Sequence, residues 1–136
     1  MSDYSRNKVV MYPLDNKTLS DLGIKDAWDL EELFPEVAFE FDRQLPYFEI
    51  EAMCDDDWNC RYYLSYVLFH SYGEESGEFG RNRPLTPTEQ EKYKAIFEKI
   101  IPGLDPTKLK YVDYCYYNAS ESPDFYIKND DFNDEV

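Results

Sequence analysis

Histidine is nearly missing from this chain of 136 residues, in which His70 is the only one. Nucleophilic catalysis by a serine–histidine or cysteine–histidine pair would depend entirely on that side chain. His70 follows Leu68 and Phe69 at the end of an apolar run, and this position predicts a packing or surface residue. The scarcity of histidine therefore argues against these enzyme classes, and we expect a protein that is not an enzyme.

Cysteine is also scarce, and the three thiols, Cys54, Cys60 and Cys115, show no repeated spacing. An odd number without a pattern predicts reduced thiols in a cytoplasmic protein rather than a disulfide framework. The spacing does not match a zinc site either. Residues 55–57 are three aspartates, but they lack the alternating oxygen ligands and the glycine of a calcium loop. We therefore expect no bound metal.

Glycine-rich loops and long apolar runs are missing as well. The glycines between residues 73 and 80 are not followed by Lys-Ser or Lys-Thr, so they do not form a phosphate-binding loop. No apolar run approaches the roughly 18 residues of a membrane-spanning helix, and the first residues carry no apolar signal stretch. The sequence therefore predicts no cofactor and no membrane association.

Positively charged residues are also few: the chain has 14 lysines and arginines against 29 aspartates and glutamates, and its net charge is −15. Segments this acidic are often disordered, but disordered segments are poor in aromatic residues. This chain is 18% aromatic, with 13 Tyr, 9 Phe and 2 Trp, which is enough to build a core. Its length fits one domain. We therefore predict a single acidic domain over residues 1–136, with a frayed acidic end at 127–136.

Apolar patterns predict two elements in the first part of the chain. Residues 8–12 are typical of a short strand, and residues 26–34 are typical of a short helix that Pro35 ends. Beyond Pro35, residues 37–41 alternate with acidic residues as a half-buried strand does. One longer helix, kinked at Pro35, is the alternative for this region.

The middle of the chain predicts a hairpin followed by a loop. Residues 47–53 and 60–69 are rich in aromatic residues, which favours two strands joined by an acidic turn near residues 55–57. A helix over 58–72 is the alternative for the second strand. Residues 71–85 contain three glycines and a proline among polar residues, and this composition predicts a long loop.

The last part of the chain contains the clearest helix signal. Thr86 and Glu89 form a capping box with proline between them, and a helix over 87–101 follows on the spacing of its apolar residues. Residues 109–117 predict a strand that is apolar on both faces and therefore central in its sheet. Together these elements predict the α+β class, with a mainly antiparallel sheet packed against one or two helices.

Carboxylates interleaved with tyrosines are the main functional signal, and this combination is typical of protein-binding surfaces. A folded chain of 16.2 kDa exposes about 7,500 Å². Its net charge then averages about one unit per 500 Å², about fivefold less than duplex DNA. Imitation of a nucleic acid therefore requires the carboxylates to cluster. The candidate partner-binding residues are Glu49, Glu51, Asp55, Asp56 and Asp57 on the hairpin, with Glu49 and Glu51 facing outward, and Glu74, Glu75 and Glu78 in the loop.

In size, acidity and lack of catalytic residues, the whole chain resembles the DNA mimics of phages and mobile elements, including anti-CRISPR and anti-restriction proteins. The resemblance is one of composition and involves no shared motif. It implies an inhibitor that binds a basic protein, such as a nuclease, and blocks its DNA or RNA channel. The shortage of lysine and arginine argues against direct nucleic-acid binding. The alternative is an immunity or adaptor protein that binds a basic toxin or enzyme without such mimicry, because bacterial immunity proteins are similarly small and acidic.

Overall fold

The protein is an α+β domain built on one antiparallel sheet, which confirms the predicted class. The computed structural model describes residues 4–34, 37, 44–54, 60–73 and 79–117. The strands are β1 (Tyr4–Pro13), β2 (Tyr47–Cys54), β3 (Cys60–Gly73), β4 (Phe79–Pro84) and β5 (Lys110–Tyr117). They lie in the order β2-β3-β1-β5-β4. The helices are α1 (Asn16–Asp21), α2 (Leu30–Leu33) and α3 (Pro87–Phe97), with 3-10 turns at Ala27–Asp29 and Pro106–Lys108.

β1 is the middle strand, and its sequence explains why. It pairs with β3 on one side and with β5 on the other, antiparallel to both. Four successive apolar residues, Val9 to Tyr12, are all buried, so both faces of the strand carry core side chains. Strands apolar on both faces belong inside a sheet. β5 is likewise flanked on both sides, by β1 and β4, as predicted for residues 109–117.

α3 covers one face of the sheet, which we call the helical face. The capping box predicted at its start is present, since the Thr86 side chain accepts from Glu89 N and Glu89 accepts from Thr86 N. Phe97 is 0% exposed and meets Phe48 of β2 at 5.2 Å between ring centroids. The α-helix ends at Phe97 rather than at residue 101, since turns follow from Glu98 and the backbone N–H groups of Ile100 and Ile101 both donate to Phe97 O. Pro102 and Gly103, the latter with a φ of 73°, lie beyond these turns.

The other face of the sheet, the strand face, is buried as well. Among the described residues, its apolar cluster is made of strand residues, namely Val9, Met11, Tyr63, Val67, Val112 and Tyr114, with Tyr47 packed against it. Strand alternation places four buried polar side chains on the same face: Ser5, Asn7, Ser65 and Asn82. This face therefore combines an apolar centre with polar groups removed from water, a combination that the sequence pattern did not indicate.

Of the two predictions for residues 60–85, the strand is confirmed and the long loop is wrong. The 60–69 segment is a strand and not a helix, and it continues to Gly73 as the partner of β1 and β2. The long loop predicted over 71–85 is wrong, because β4 lies within it and pairs with β5. Gly80 and Pro84 have low strand propensity, so the sequence pattern does not indicate this strand. Both are tolerated in β4 because it is the outer strand of the described sheet.

The region around Pro35 follows the shorter of the two alternatives as far as it is described. A 3-10 turn at Ala27–Asp29 continues into α2, which ends at Leu33. Of the strand predicted over 37–41, only Val37 is among the described residues, and it is buried. The helix α1 was not predicted, although Asp15 caps it by accepting from Thr18 N at 2.8 Å. The 127–136 end lies outside the described residues.

Glu89 also joins the start of α3 to β4, and this contact predicts a pH effect on stability. Arg83 donates to both Glu89 oxygens, at 2.8 and 3.0 Å, and this pairing holds the pKa of Glu89 at about 2. A lowered pKa stabilises the fold above the unfolded value near 4.5, and the stabilisation is lost as the pH falls towards 2. The pair is partly exposed, so Glu89→Gln should cost about 1 kcal/mol at pH 7.

Urea unfolding between pH 2 and pH 7 measures this contribution. Glutamine can still serve in the capping box, so the variant removes the charge and keeps the cap. The matched control is Glu91→Gln, an exposed acid on the same helix, which should follow the wild type at every pH. If Glu89→Gln and Glu91→Gln gave the same curve, the Arg83 pair would contribute nothing to stability.

Candidate functional site

The predicted partner-binding acids divide into two groups. Asp55, Asp56 and Asp57 of the hairpin turn, and Glu74, Glu75 and Glu78 of the loop, lie outside the described residues, so their role stays a prediction. Glu49 and Glu51 lie on β2, two residues apart and on one face of the strand, as expected. That face is the strand face, which also carries Tyr47, and both glutamates are half-buried instead of facing outward.

The environment of Glu51 favours its neutral form. Burial of the carboxyl raises its pKa well above the usual range, and the neighbouring charge of Glu49 raises it further. A hydrogen bond from protonated Glu51 to Glu49 acts in the same direction, whereas a hydrogen bond from the Tyr114 hydroxyl opposes it. Glu51 is therefore suited to sharing a proton with Glu49, and less suited than an exposed acid to attracting a basic partner.

Glu51→Gln is expected to stabilise the protein at neutral pH. A raised pKa means that the folded state binds the proton more tightly, so ionisation of Glu51 opposes folding as the pH rises above the unfolded value near 4.5. Each unit of difference between the folded and unfolded pKa corresponds to about 1.4 kcal/mol. The variant should have a higher melting temperature than the wild type at pH 7.5 and the same melting temperature at pH 4.

Thermal melts at these two pH values distinguish this effect from a general effect of charge. Glu32→Gln, which removes an exposed acid, is the control and should leave both melting temperatures nearly unchanged. A Glu51→Gln variant that melted below the wild type at pH 7.5 would contradict the desolvated environment.

A different surface carries exposed acids together with exposed apolar side chains. It comprises residues 26–33, the 3-10 turn and α2, and we call it the 26–33 surface. Trp28 is 44% exposed and Leu33 is 58% exposed, which is unusual for side chains of this size. The carboxylates of this surface are Asp26, Asp29, Glu31 and Glu32, and no lysine or arginine lies between them.

Local structure fixes which side chains of the 26–33 surface point outward. Asp26 accepts from Trp28 N at 3.0 Å and so starts the 3-10 turn. Ala27 and Leu30, three residues apart, are both buried in the core of the helical face. The opposite side of the same turns is then left to the exposed residues Trp28, Asp29, Glu32 and Leu33. Burial of one side of this short helical segment thus forces its apolar and acidic residues onto one outer surface.

The aromatic ring at the centre of this surface is held in position. The Trp28 ring meets Tyr62 of β3 edge to face, with centroids 5.9 Å apart and planes 80° from each other. Such pairs add about 0.5–1.5 kcal/mol beyond the area they bury, which limits the motion of the indole. Within the described part of the chain, none of the four carboxylates forms an ion pair. The surface therefore presents an ordered apolar anchor surrounded by uncompensated negative charge.

His70 and Cys115 lie on strands of the sheet. His70 lies half-buried on β3 with its Nδ1 2.6 Å from Asn7 Oδ1. Cys115 is buried. No group of three or more His, Cys, Asp or Glu residues able to hold a metal occurs among the described residues. The helices that the structure describes include none long and apolar enough to cross a membrane.

Comparison with known proteins adds no relative. No protein-family model, curated protein or solved structure matches this chain. The 26–33 surface and the net charge of −15 are the features of this protein that bear on its function.

Proposed function

We propose that this protein is a non-enzymatic, acidic inhibitor that binds a basic, nucleic-acid-binding enzyme such as a nuclease. The observation that carries the proposal is the 26–33 surface, where exposed Trp28 and Leu33 lie among four carboxylates and the segment contains no lysine or arginine. Tryptophan is among the residues that contribute most to binding in protein interfaces. Exposed apolar side chains rimmed by polar residues are typical of protein-interaction sites, and a rim of one charge attracts a partner of opposite charge.

Overall charge supports the same class of partner. A net charge of −15 on an accessible surface of 8115 Å² is about one unit per 540 Å² on average. The 26–33 surface places four carboxylates within eight residues, which is the local clustering that nucleic-acid mimicry requires. Such clusters accelerate association with basic surfaces, and salt weakens the effect. We therefore propose that this surface enters the basic DNA or RNA channel of the target.

The apolar residues of the surface also support a second candidate function. Trp28 and Leu33 have no counterpart in a phosphate backbone, so they favour a target site that includes an apolar pocket. An immunity or adaptor protein that binds a basic toxin or enzyme beside its channel would use the same residues. The two functions differ in whether the nucleic acid of the target competes for the site.

Capture from a host lysate, with and without nuclease treatment, tests the proposal. A tagged protein should retain a basic protein, and nuclease treatment should leave the amount unchanged or increase it. Duplex DNA or RNA added to the purified complex should then release the partner if the surface occupies the channel. A stable complex in the presence of excess nucleic acid would select the adaptor function. Capture that disappears after nuclease treatment would overturn both, since the link would be nucleic acid.

A further inference from the structure

Trp28 is the aromatic centre of the 26–33 surface, and part of its ring is open to solvent. The side chain is 44% exposed, and its ring plane stands at 80° to that of Tyr62. In an edge-to-face pair one ring presents its edge to the face of the other, so Tyr62 covers at most one face of the indole. Trp28 is therefore held in place by Tyr62 while it offers a π face to a partner.

Carboxylates lie beside this ring along the helical turns. Residues three and four apart are neighbours on a helical surface, so Glu31 and Glu32 lie next to Trp28. Asp29 follows Trp28 directly, and both Asp29 and Glu32 are exposed. Lys25, the nearest lysine or arginine in the sequence, forms no ion pair within the described part of the chain. The ring and the carboxylates can therefore act together on one cationic group of a partner.

An arginine side chain matches this combination better than a lysine side chain does. The guanidinium group is planar and weakly hydrated, so it stacks on an aromatic face while its N–H groups donate to a carboxylate. The ammonium group of lysine is compact and strongly hydrated, and it pairs with a carboxylate only as a point charge. A surface that combines an indole face with adjacent carboxylates therefore favours arginine.

We propose that Trp28, with the exposed carboxylates Asp29 and Glu32 beside it, binds an arginine side chain of the basic partner. This inference rests on the proposed function and deepens it, because it names the chemical group that the 26–33 surface recognises. Proteins that bind nucleic acids use arginine both to pair with phosphates and to stack on bases. On such an arginine, the carboxylates take the place of phosphates and the indole takes the place of a base. The proposal thus explains why an exposed tryptophan lies among the acids.

NMR titration of the protein with two short peptides of equal charge tests this assignment. One peptide has two arginines separated by glycine, the other has two lysines in their place, and both have blocked ends. The arginine peptide should bind at least about threefold more tightly and should shift the indole signals of Trp28, as expected for an exposed cation–π contact. Equal affinities, or no binding of either peptide up to millimolar concentration, would overturn the assignment. Neither result would decide the inhibitor function, which capture from the lysate tests separately.

Three variants separate the contribution of the ring from that of the charge. Trp28→Leu keeps an apolar side chain and removes the π face, so the arginine peptide should bind no more tightly than the lysine peptide. Glu32→Gln should weaken the binding of both peptides, whereas Glu91→Gln, an exposed acid on α3, is the matched control and should bind both like the wild type. A Trp28→Leu variant that kept the preference for arginine, or a Glu32→Gln variant that matched the control, would overturn the proposal. Melting temperatures establish that each variant is folded.

Discussion

Replacement of Phe97 by alanine should lower the free energy of unfolding by about 3–5 kcal/mol. The Phe97 side chain is 0% exposed and is the last residue of α3. It contacts Phe48 of β2 at 5.2 Å and Tyr66 of β3 at 6.2 Å between ring centroids. Its removal leaves a cavity where the helix meets two strands, so the transfer energy and these ring contacts are lost together.

Urea denaturation monitored by circular dichroism measures this loss. Lys94→Ala, an exposed position on the same helix, is the control and should change stability by less than about 0.5 kcal/mol. A domain of this size has a total stability of about 5–15 kcal/mol, so Phe97→Ala could leave little folded protein at 37 °C. A loss below 1 kcal/mol would contradict the position of α3 on the sheet.

Trp28→Ala should weaken binding of the captured partner by about 2 kcal/mol or more, which is roughly a 30-fold increase in Kd. Trp28 is already exposed, so its truncation should affect folding much less than the Phe97 variant does. Asp29→Asn together with Glu32→Gln should mainly slow association and make it less dependent on salt. Surface plasmon resonance of the partner at two salt concentrations separates these two effects.

The same measurement compares the 26–33 surface with the acids predicted from the sequence. The Asp55, Asp56 and Asp57 triple replacement by Asn removes three charges from the hairpin turn, where asparagine is well tolerated. If the 26–33 surface is the contact, this variant should bind nearly like the wild type. Loss of binding in the triple variant, with no loss in Trp28→Ala, would move the contact to the hairpin.

The elements predicted correctly are those whose signal is local. The capping box at Thr86 and Glu89, the aromatic alternation of β2 and β3, and the two-sided apolar pattern of β5 each depend on neighbouring residues. β4 escaped prediction because its glycine, arginines and proline have little strand propensity. It forms because β5 offers a free edge, with Arg81 opposite Asp113 and Arg83 opposite Tyr111.

The candidate surfaces depend on tertiary packing, and this explains why the sequence did not indicate them. From the sequence, residues 26–34 predict only a short helix and not a binding surface. The exposure of Trp28 follows from the burial of Ala27 and Leu30 against the sheet. The buried Glu51 carboxyl likewise forms a hydrogen bond with Tyr114, which is 63 residues away in sequence, so no local sequence pattern predicts its environment.

The arrangement of charge on the outer strands bears on how copies of this protein behave at high concentration. β2 and β4 are the two ends of the described sheet, and an outer strand offers its backbone groups to another chain. Glu49 and Glu51 would bring carboxylates together if two β2 strands met edge to edge, and Pro84 withholds a backbone donor at the end of β4. Because Glu51 favours its neutral form, the repulsion between two such strands comes mainly from Glu49. Glu49→Gln should therefore be the variant more inclined to assemble into intermolecular sheets, whereas the more stable Glu51→Gln protein should assemble no more readily than the wild type.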